Sequence, residues 1–242
     1  PHEKNIFQKK LFKIYLDSIN KSVALSKNIN NEINDISNSN KRIVLFHPIP
    51  KKFGDPIEKQ IAKEKIGLKK DYNYLLFFGL IRKYKGLDIL IESMCEIIKK
   101  RNNVKLLIVG ENYESIKKYK KLIKKNNLEN NISFINHFIS EQEIKYWFCS
   151  CELVIQPYKK ASQSGITALS FQFETPTVCT NISGLSEFII DNNNGFLSNP
   201  NSIDLGKKIL MALNSDLTLI KKEIRNKKEK LTWNNFVSNL LN

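Results

Sequence analysis

Two cationic side chains, Arg82 and Lys85, follow a short apolar run that stops at Gly79. The run at residues 75–78 predicts a strand, and the apolar spacing after Gly86 predicts a helix, which places both cations at the tip of a turn. In a parallel sheet such a turn lies at the carboxyl edge, where ligands bind. Guanidinium and ammonium groups beside a helix N-terminus suit a diphosphate, so we expect them to bind an anion. The alternative is a pair of solvated loop cations in a lysine-rich chain.

A second loop, at residues 157–164, also follows an apolar run and leads into a predicted helix. The small residues at its end, Ser164 and Gly165, would let backbone N–H groups approach phosphate oxygens. Ile166 follows on the helix and Gln163 precedes it, so both are expected at the same site. An ordinary serine N-cap with a neighbouring glycine is the alternative.

Further loops would open on the same edge of the sheet. Gly110 ends the apolar run at 104–109 and, like the glycine after the first run, is expected to line the site. Glu187 could face a ligand hydroxyl, or it could be a first-turn acid that stabilises a helix dipole. Phe138 and Ile139 could contact a purine or pyrimidine ring, or they could pack against the following helix.

Strand and helix signals alternate along the chain, which predicts an α/β fold with a doubly wound, parallel, Rossmann-like sheet. Six strand signals follow residue 57, enough for one complete nucleotide-binding type of domain. Only two precede residue 47, so the first part is expected to be the tail of a second, incomplete sheet. Between them, residues 48–56 are rich in proline and glycine and predict a hinge. His47 adjoins them and is interpreted as a hinge residue rather than a catalyst.

The charge and the scarcity of metal ligands limit the other function classes. The 242 residues carry a formal net charge of +15, but only four of the 39 cations are arginine. Because base-reading proteins favour arginine, this bias fits AT-rich coding better than a nucleic-acid-binding surface. With three histidines and no zinc-type cysteine pair, no metal site is expected. The four cysteines have apolar neighbours, which favours buried, reduced thiols in a cytoplasmic protein.

Several short motifs occur together along residues 42–200. In their types and order they closely resemble the donor-site signature of the retaining GT-B glycosyltransferases of the large group 1 family. The motifs are Phe-Phe-Gly-Leu-Ile-Arg-Lys-Tyr-Lys-Gly-Leu-Asp (77–88), Leu-Ile-Val-Gly (107–110), Gln-Pro-Tyr-(x5)-Ser-Gly-Ile (156–166), Thr-Pro-Thr-Val (175–178), Gly-Leu-Ser-Glu (184–187) and Asn-Gly-Phe-Leu (194–197). Their common order is more specific than any one of them.

The resemblance implies two Rossmann-like domains that face each other across a cleft, one for the acceptor and one for a nucleotide-sugar donor. Residues 1–47 would be the end of the acceptor domain, and 48–56 the hinge. Residues 57–230 would form the donor domain, and 231–242 a terminal helix that returns to the N-terminal domain.

The resemblance also implies roles for individual residues. Arg82 and Lys85 would contact the donor diphosphate, while Ser164, Gly165 and Ile166 would meet its phosphates or its sugar. No metal would be needed, since cationic side chains and a helix N-terminus hold the diphosphate.

The expected reaction is transfer of a sugar, with retention, from a nucleoside-diphosphate sugar to a glycan or lipid-linked acceptor. Ala161 and Leu169 depart from the family pattern, because they stand where two glutamates usually contact the donor sugar and ribose. Two alternatives therefore stay open: a nucleotide-sugar epimerase of the same fold, and a non-catalytic nucleotide-sugar-binding module. The net charge suggests peripheral contact with an anionic membrane face, and no nucleic-acid partner is expected.

Overall fold

The computed structural model describes residues 6–37, 42–112 and 115–241. In these ranges the chain forms strands both before and after the proline-rich segment at residues 48–56. The strands are β1 (Ser22–Ala24), β2 (Arg42–Val44), β3 (Asn73–Phe78), β4 (Val104–Val109), β5 (Ile132–Ile135), β6 (Leu153–Gln156), β7 (Thr177–Thr180) and β8 (Phe196–Ser198).

Helices alternate with these strands and follow the last of them. They are α1 (Ile6–Ser18), α2 (Lys27–Asn34), α3 (Lys59–Lys65), α4 (Leu87–Lys100), α5 (Lys117–Lys125), α6 (Ile144–Cys149), α7 (Gly165–Gln172), α8 (Ser183–Ser186), α9 (Ser202–Asn214), α10 (Leu217–Lys230) and α11 (Trp233–Leu241).

Six strands form one parallel sheet in the order β5-β4-β3-β6-β7-β8. In this sheet β3 is a central strand. The next two strands in the chain, β4 and β5, lie on one side of it, and β6, β7 and β8 lie on the other. The prediction of a doubly wound parallel sheet is confirmed. The strand order reverses between β3 and β6, and in open α/β sheets such a point is where a ligand crevice lies, at the carboxyl ends of the strands. The turns after β3 and β6 border this crevice.

The central strands are apolar on both faces because helices cover the sheet on each side. Along β3, Leu75 and Phe77 join one hydrophobic cluster, while Tyr74 and Leu76 join the other. This alternation follows from the two-residue period of a strand. The continuous apolar runs seen in the sequence are therefore strands buried on both faces.

The first part of the chain holds the two predicted strands, and β1 and β2 pair in parallel. Most apolar side chains of α1 do not pack in the core. Phe7, Leu11, Ile14 and Tyr15 are exposed, and Leu16 is buried.

The terminal helix α11 contacts this first part of the chain. The Phe236 ring lies 6.0 Å from the Phe46 ring, edge to face. The Lys21 ammonium donates to the Leu240 carbonyl at 2.8 Å.

The helix after β7, α8, has only four residues and ends at Ser186. The reason is the side chain of Asn194, which is buried behind it. Its Oδ1 accepts from the Ile190 N–H at 2.7 Å, and its Nδ2 donates to the Phe188 carbonyl at 3.1 Å. These bonds hold the residues after α8 in a turn, so the helix ends.

The four cysteines are all free thiols, and three of them are buried. None of the described helices is long and apolar enough to cross a bilayer.

Candidate functional site

The turn after β3 lies against the turn after β4, backbone to backbone. The Gly79 N–H donates to the Val109 carbonyl at 2.8 Å. A Cβ at Gly110 would stand 2.6 Å from the Gly79 carbonyl oxygen. Both glycines have positive φ, 96° and 133°, which glycine adopts without strain. At these two predicted positions the backbone itself forms the edge of the crevice.

Lys85 is buried, although the sequence placed it with Arg82 at the tip of the turn. Only 8% of Lys85 is exposed, whereas Arg82 is exposed as expected. A Cβ placed on Gly79 would lie 3.1 Å from the Lys85 ammonium and 3.5 Å from the end of the Ile166 side chain. The cation, the β3 turn and the first turn of α7 therefore meet at one point.

The surroundings of the Lys85 ammonium disfavour its charge. Burial and, to a smaller extent, repulsion by Arg82 lower the pKa of Lys85 to about 8. The ammonium lies 5.6 Å from the centre of the Tyr158 ring, a distance at which a cation–π attraction is weakly favourable. An anion brought to this point would replace part of the hydration that burial removes.

The turns after β3 and β6 are held together on either side of this cation. Gly86 has a φ of 66°, and a Cβ there would stand only 1.9 Å from the Pro157 carbonyl oxygen. The Lys159 N–H donates to the Tyr84 carbonyl at 2.7 Å, and the Lys159 ammonium pairs with Asp88 at 2.5 Å. The crevice between β3 and β6 therefore has a fixed width at its base.

Ser164 is the N-cap of α7, as the more ordinary interpretation of the sequence held. Its hydroxyl accepts from the Ile166 N–H at 3.2 Å and donates to Oε1 of buried Gln156 at 2.7 Å. The Gln156 side chain also bonds to the Thr167 hydroxyl, with its Nε2 donating at 3.1 Å. This network fixes the first turn of α7. Contact of Gly165 with a ligand through its backbone stays a prediction.

Gln156 begins the motif at 156–166 that resembles the donor-site signature, but no role of its own was predicted for it. It is the only polar residue of the buried strand β6 and the last one, and a polar residue at a strand's carboxyl end is a signal that could have found it.

His47 also lies at this site, although the sequence placed it only at a hinge. Its Nε2 is 3.8 Å from the position of a Cβ on Gly165, at the start of α7. His47 and Ser164 line the same small cavity. The Nδ1 of His47 is 3.0 Å from the Pro48 carbonyl oxygen. The chain carries few histidines, and this one precedes a proline-rich connector, but nothing in the sequence shows which helix it meets.

Glu187 stabilises a helix N-terminus, but of α2 rather than of its own helix. Its two carboxylate oxygens accept from the Lys27 and Asn28 N–H groups, each at 2.7 Å. A ligand hydroxyl would have to compete with both bonds, so the geometry favours the structural interpretation of this acid. Gly184 beside it lies against the β6 turn, since a Cβ there would be 2.2 Å from the Ala161 carbonyl oxygen.

The remaining predicted residues, Phe138, Ile139 and Gln163, differ in how exposed their side chains are. Phe138 is 70% exposed and free of the core, whereas Ile139 is buried in the cluster that includes Val109 and Trp147. Ile139 therefore packs, as the alternative for this pair held, and contact with a base stays a prediction for Phe138 alone. The Gln163 Oε1 atom is buried in the β6 turn. Across the described residues, no three His, Cys, Asp or Glu side chains come together as a metal site requires.

Comparison with known proteins identifies the domain that carries this crevice. The family model described as "Glycosyl transferases group 1" matches residues 58–230. An uncharacterised glycosyltransferase of Methanocaldococcus jannaschii is 29% identical over 208 residues, covering 85% of this chain and 53% of the relative. The poly(ribitol-phosphate) alpha-N-acetylglucosaminyltransferase of Staphylococcus aureus is 35% identical over 136 residues, covering 55% of this chain and 27% of the relative.

Solved structures share the fold at lower identity. HepE of Anabaena, in complex with UDP, has a TM-score of 0.87 at 16% identity, covering all of this chain and 69% of that one. A sucrose-phosphate synthase of Thermosynechococcus elongatus has a TM-score of 0.84 at 16% identity, covering 99% and 61%. The chain spans 53% and 58% of the length of two Methanocaldococcus relatives. Since the family model matches most of the chain, the protein belongs to the group 1 glycosyltransferases.

Proposed function

We propose that this chain binds a nucleoside-diphosphate sugar in the crevice between β3 and β6 and serves as the donor half of a retaining glycosyltransferase. The observation that carries the proposal is the buried Lys85 ammonium. It lies beside Gly79, next to the end of the Ile166 side chain, which places a positive charge at the first turn of α7. A buried cation with a lowered pKa in a cleft is typical of a functional site.

In this proposal the diphosphate lies between Lys85, Arg82 and the N-terminus of α7. During transfer, the bond from the anomeric carbon to the diphosphate oxygen breaks, and a bond to an acceptor hydroxyl oxygen forms. The proton of the hydroxyl is released to solvent, and the nucleoside diphosphate leaves with one more negative charge. Arg82 and Lys85 would stabilise that charge, and they would do so without a metal.

The acceptor belongs to the same proposal. We expect a hydroxyl of a glycan or of a lipid-linked sugar. Among the relatives, one is named for poly(ribitol-phosphate) and two are named for lipopolysaccharide. Those names describe the relatives, and for this chain the acceptor is tested by transfer assays with each class.

Calorimetric titration with nucleotides tests the donor site. UDP and GDP should be compared with UMP and GMP in the presence of EDTA. We expect one diphosphate to bind at least tenfold more tightly than its monophosphate, because only the diphosphate spans both cations and the helix N-terminus. Equal affinity for the monophosphate and the diphosphate would contradict the site, and a need for metal would contradict the metal-free mechanism.

Three alanine variants place the contact within the turn. Arg82→Ala and Lys85→Ala should each weaken diphosphate binding by about tenfold or more, since each removes a charge-assisted hydrogen bond. Lys83→Ala is the matched control, because Lys83 is exposed in the same turn and its loss changes the net charge equally. If all three variants bind alike, the assignment of the site is wrong.

Product analysis separates the remaining interpretations. Incubation with a UDP-sugar and no acceptor should leave the sugar unchanged, whereas an epimerase would convert it. Ala161 and Leu169 offer no carboxylates to the sugar or ribose, which favours strong binding of the diphosphate over strong binding of the sugar. If donor binding survives but no acceptor is glycosylated, the chain is a binding module.

A further inference from the structure

We propose that the exposed face of α5 is a docking surface for a linear polymer of sugars or polyols that carries phosphodiester charges, and that the acceptor of the proposed transfer is such a polymer. The acceptor part of this inference rests on the proposed function, whereas the docking part does not. The surface contains none of the residues assigned to the donor site. It consists of the six lysines of α5, which are Lys117, Lys118, Lys120, Lys121, Lys124 and Lys125.

The lysines of α5 occupy the face of the helix that points away from the core. Tyr119 and Ile123 are buried and attach the opposite face to the larger hydrophobic cluster. All six lysines are exposed. A spacing of four residues places Lys117, Lys121 and Lys125 in one row, with successive residues about 6 Å apart along the helix axis.

The positive charge of this face is not neutralised by neighbouring acids. From Lys117 to Leu128 the sequence contains no acidic residue. Lys118 aside, none of the α5 lysines forms an ion pair within the part of the chain that the structure describes. Like charges four residues apart destabilise a helix, so the stability of α5 does not account for the row.

A lysine-rich composition alone does not account for the row either. Helix α10 also carries six cations, but two glutamates stand among them. In addition, Glu174 pairs with Arg225 at 2.5 Å and with Lys228 at 3.6 Å. The cations of α10 are therefore interleaved with acids, whereas those of α5 stand together without one.

The row begins on the side of the sheet where the proposed donor site lies. After β4 the chain passes beside the turn after β3, where the Ile81 N–H donates to the Glu111 carbonyl at 3.1 Å. Because β4 and β5 are parallel neighbours, α5 must run from the carboxyl edge of the sheet back towards the amino end of β5. Its nine residues extend about 13 Å. A polymer whose end reaches the carboxyl edge can follow the row.

The chemistry of the face favours such a polymer over a membrane or a nucleic acid. Lysine binds phosphate as a point charge, so a row of lysines suits successive phosphates of any chain. An interfacial helix inserts apolar side chains into a bilayer, but Tyr119 and Ile123 are buried in the core. The face has no arginine and no exposed aromatic ring on which the bases of a single strand would stack.

The test removes the row without disturbing the helix. The triple variant Lys117→Gln/Lys121→Gln/Lys125→Gln, called the row variant, replaces three exposed side chains. Glutamine has nearly the helix propensity of lysine, and the substitutions relieve repulsion between like charges, so α5 should stay folded.

A matched control changes the net charge by the same amount at another place. In Lys207→Gln/Lys222→Gln/Lys230→Gln, called the control variant, three exposed lysines of α9 and α10 are replaced. Each variant loses three positive charges, so a difference between them reports the location of the charges and not their number.

Calorimetry with poly(glycerol phosphate) freed of its lipid measures docking, in the absence of nucleotide. The wild type should bind this polymer and should not bind neutral dextran. The row variant should bind about tenfold more weakly at about 50 mM salt, and its affinity should depend less on salt because fewer counterions are released. The control variant should change the affinity by about twofold at most. Binding of UDP or GDP should be the same in all three proteins.

Three results would overturn the docking surface. The first is that the wild type does not bind the polymer, and the second is that the row and control variants weaken binding equally. The third is that oligothymidylate or anionic vesicles bind as tightly as the polymer and lose binding in the row variant alone. That result would assign the face to a nucleic acid or to a membrane.

The acceptor part is tested by transfer from the sugar nucleotide that the wild type binds. The row variant should raise KM for poly(glycerol phosphate) about tenfold and leave kcat unchanged. An unchanged KM, or transfer to a neutral glycan but not to the polymer, would overturn the acceptor part alone. If neither UDP nor GDP binds the wild type, the proposed function is wrong, while polymer binding still decides the docking surface.

Discussion

At the scale of single residues, the charge of the buried Lys85 ammonium lowers the stability of the fold. The ammonium is buried, and the two causes of its lowered pKa are burial and repulsion by Arg82. No acidic side chain is among these causes. Its pKa of about 8 lies below the ordinary value of 10.5, so below pH 8 the folded protein holds a charge that the unfolded chain hydrates better. The proposed diphosphate ligand would account for a cation in this position, which packing alone does not favour.

Replacing Lys85 by methionine should therefore stabilise the protein and abolish diphosphate binding. At pH 7 the expected gain in the free energy of unfolding is about 1–3 kcal/mol, since the variant keeps the apolar stem and loses the desolvated charge. Urea unfolding and calorimetry measure the two effects. A variant less stable than the wild type would show that the ammonium contributes to the fold, which would contradict this account.

The same pKa predicts how stability depends on pH. Between pH 8 and 10.5 the unfolded chain binds more protons at this residue than the folded protein does, so this residue's contribution to stability becomes more favourable as pH rises. The slope should be absent in Lys85→Met. Unfolding by urea at several pH values, with the variant as the reference, isolates the contribution.

Ligand binding should show the opposite trend. An anion prefers the charged ammonium, so diphosphate affinity should fall above pH 8, by at most about tenfold per pH unit, and binding should take up a proton. Calorimetry in buffers of different ionisation enthalpy measures the uptake. Lys83→Ala should keep this behaviour, and an unchanged profile in Lys85→Ala would assign it to another group.

At the scale of elements, the two turns that border the crevice are fixed by backbone contact. The sequence predicted the strands β3 and β6, the turns after them and the helices that follow. It could not predict that Gly86 lies against the Pro157 carbonyl, because the two are 71 residues apart in the chain and only the assembled sheet brings them together. The burial of Lys85 has the same origin, since the Tyr158 ring, 5.6 Å from its ammonium, comes from the turn after β6.

A comparison of Gly86 with Gly67 separates the energetic cost of the contact at Gly86 from the strain of a positive φ. Gly67 has a φ of 70° and nothing within 4 Å of a Cβ, whereas a Cβ on Gly86, at 66°, would stand 1.9 Å from the Pro157 carbonyl oxygen. Gly67→Ala should cost about 1–2 kcal/mol, the penalty for a left-handed residue. Gly86→Ala should cost clearly more and should also weaken diphosphate binding. Equal losses in urea unfolding would mean that the two turns separate easily.

At the scale of the whole molecule, most of the fold could be predicted from the alternation of strand and helix signals along the chain. The strands buried on both faces appear as continuous apolar runs, and the six-stranded sheet could be predicted from them. The first part could not be predicted in the same way. Its contacts with the domain of the six-stranded sheet include those of Ser26, His47 and Glu187, whose partners lie more than 100 residues away. For that reason the positions of His47 and Glu187 appeared only in the structure.

The net charge of +15 leads to a prediction for the whole molecule. If lipid-linked acceptors are its substrates, the chain should sediment with vesicles that contain anionic lipid and not with neutral ones. Binding should weaken as salt rises from about 50 to 300 mM, because the attraction is screened. Equal sedimentation with both vesicle types would remove the membrane from the proposal.

The carboxylate of Glu187 has a consequence for measuring motion. It holds the amide protons of Lys27 and Asn28, which belong to the other part of the chain. Those two protons should exchange slowly with deuterated solvent while the parts stay together, and they should exchange at the rate at which the parts separate. These two amide protons therefore report the rate at which the two parts of the chain separate, and nuclear magnetic resonance reads it without any added label.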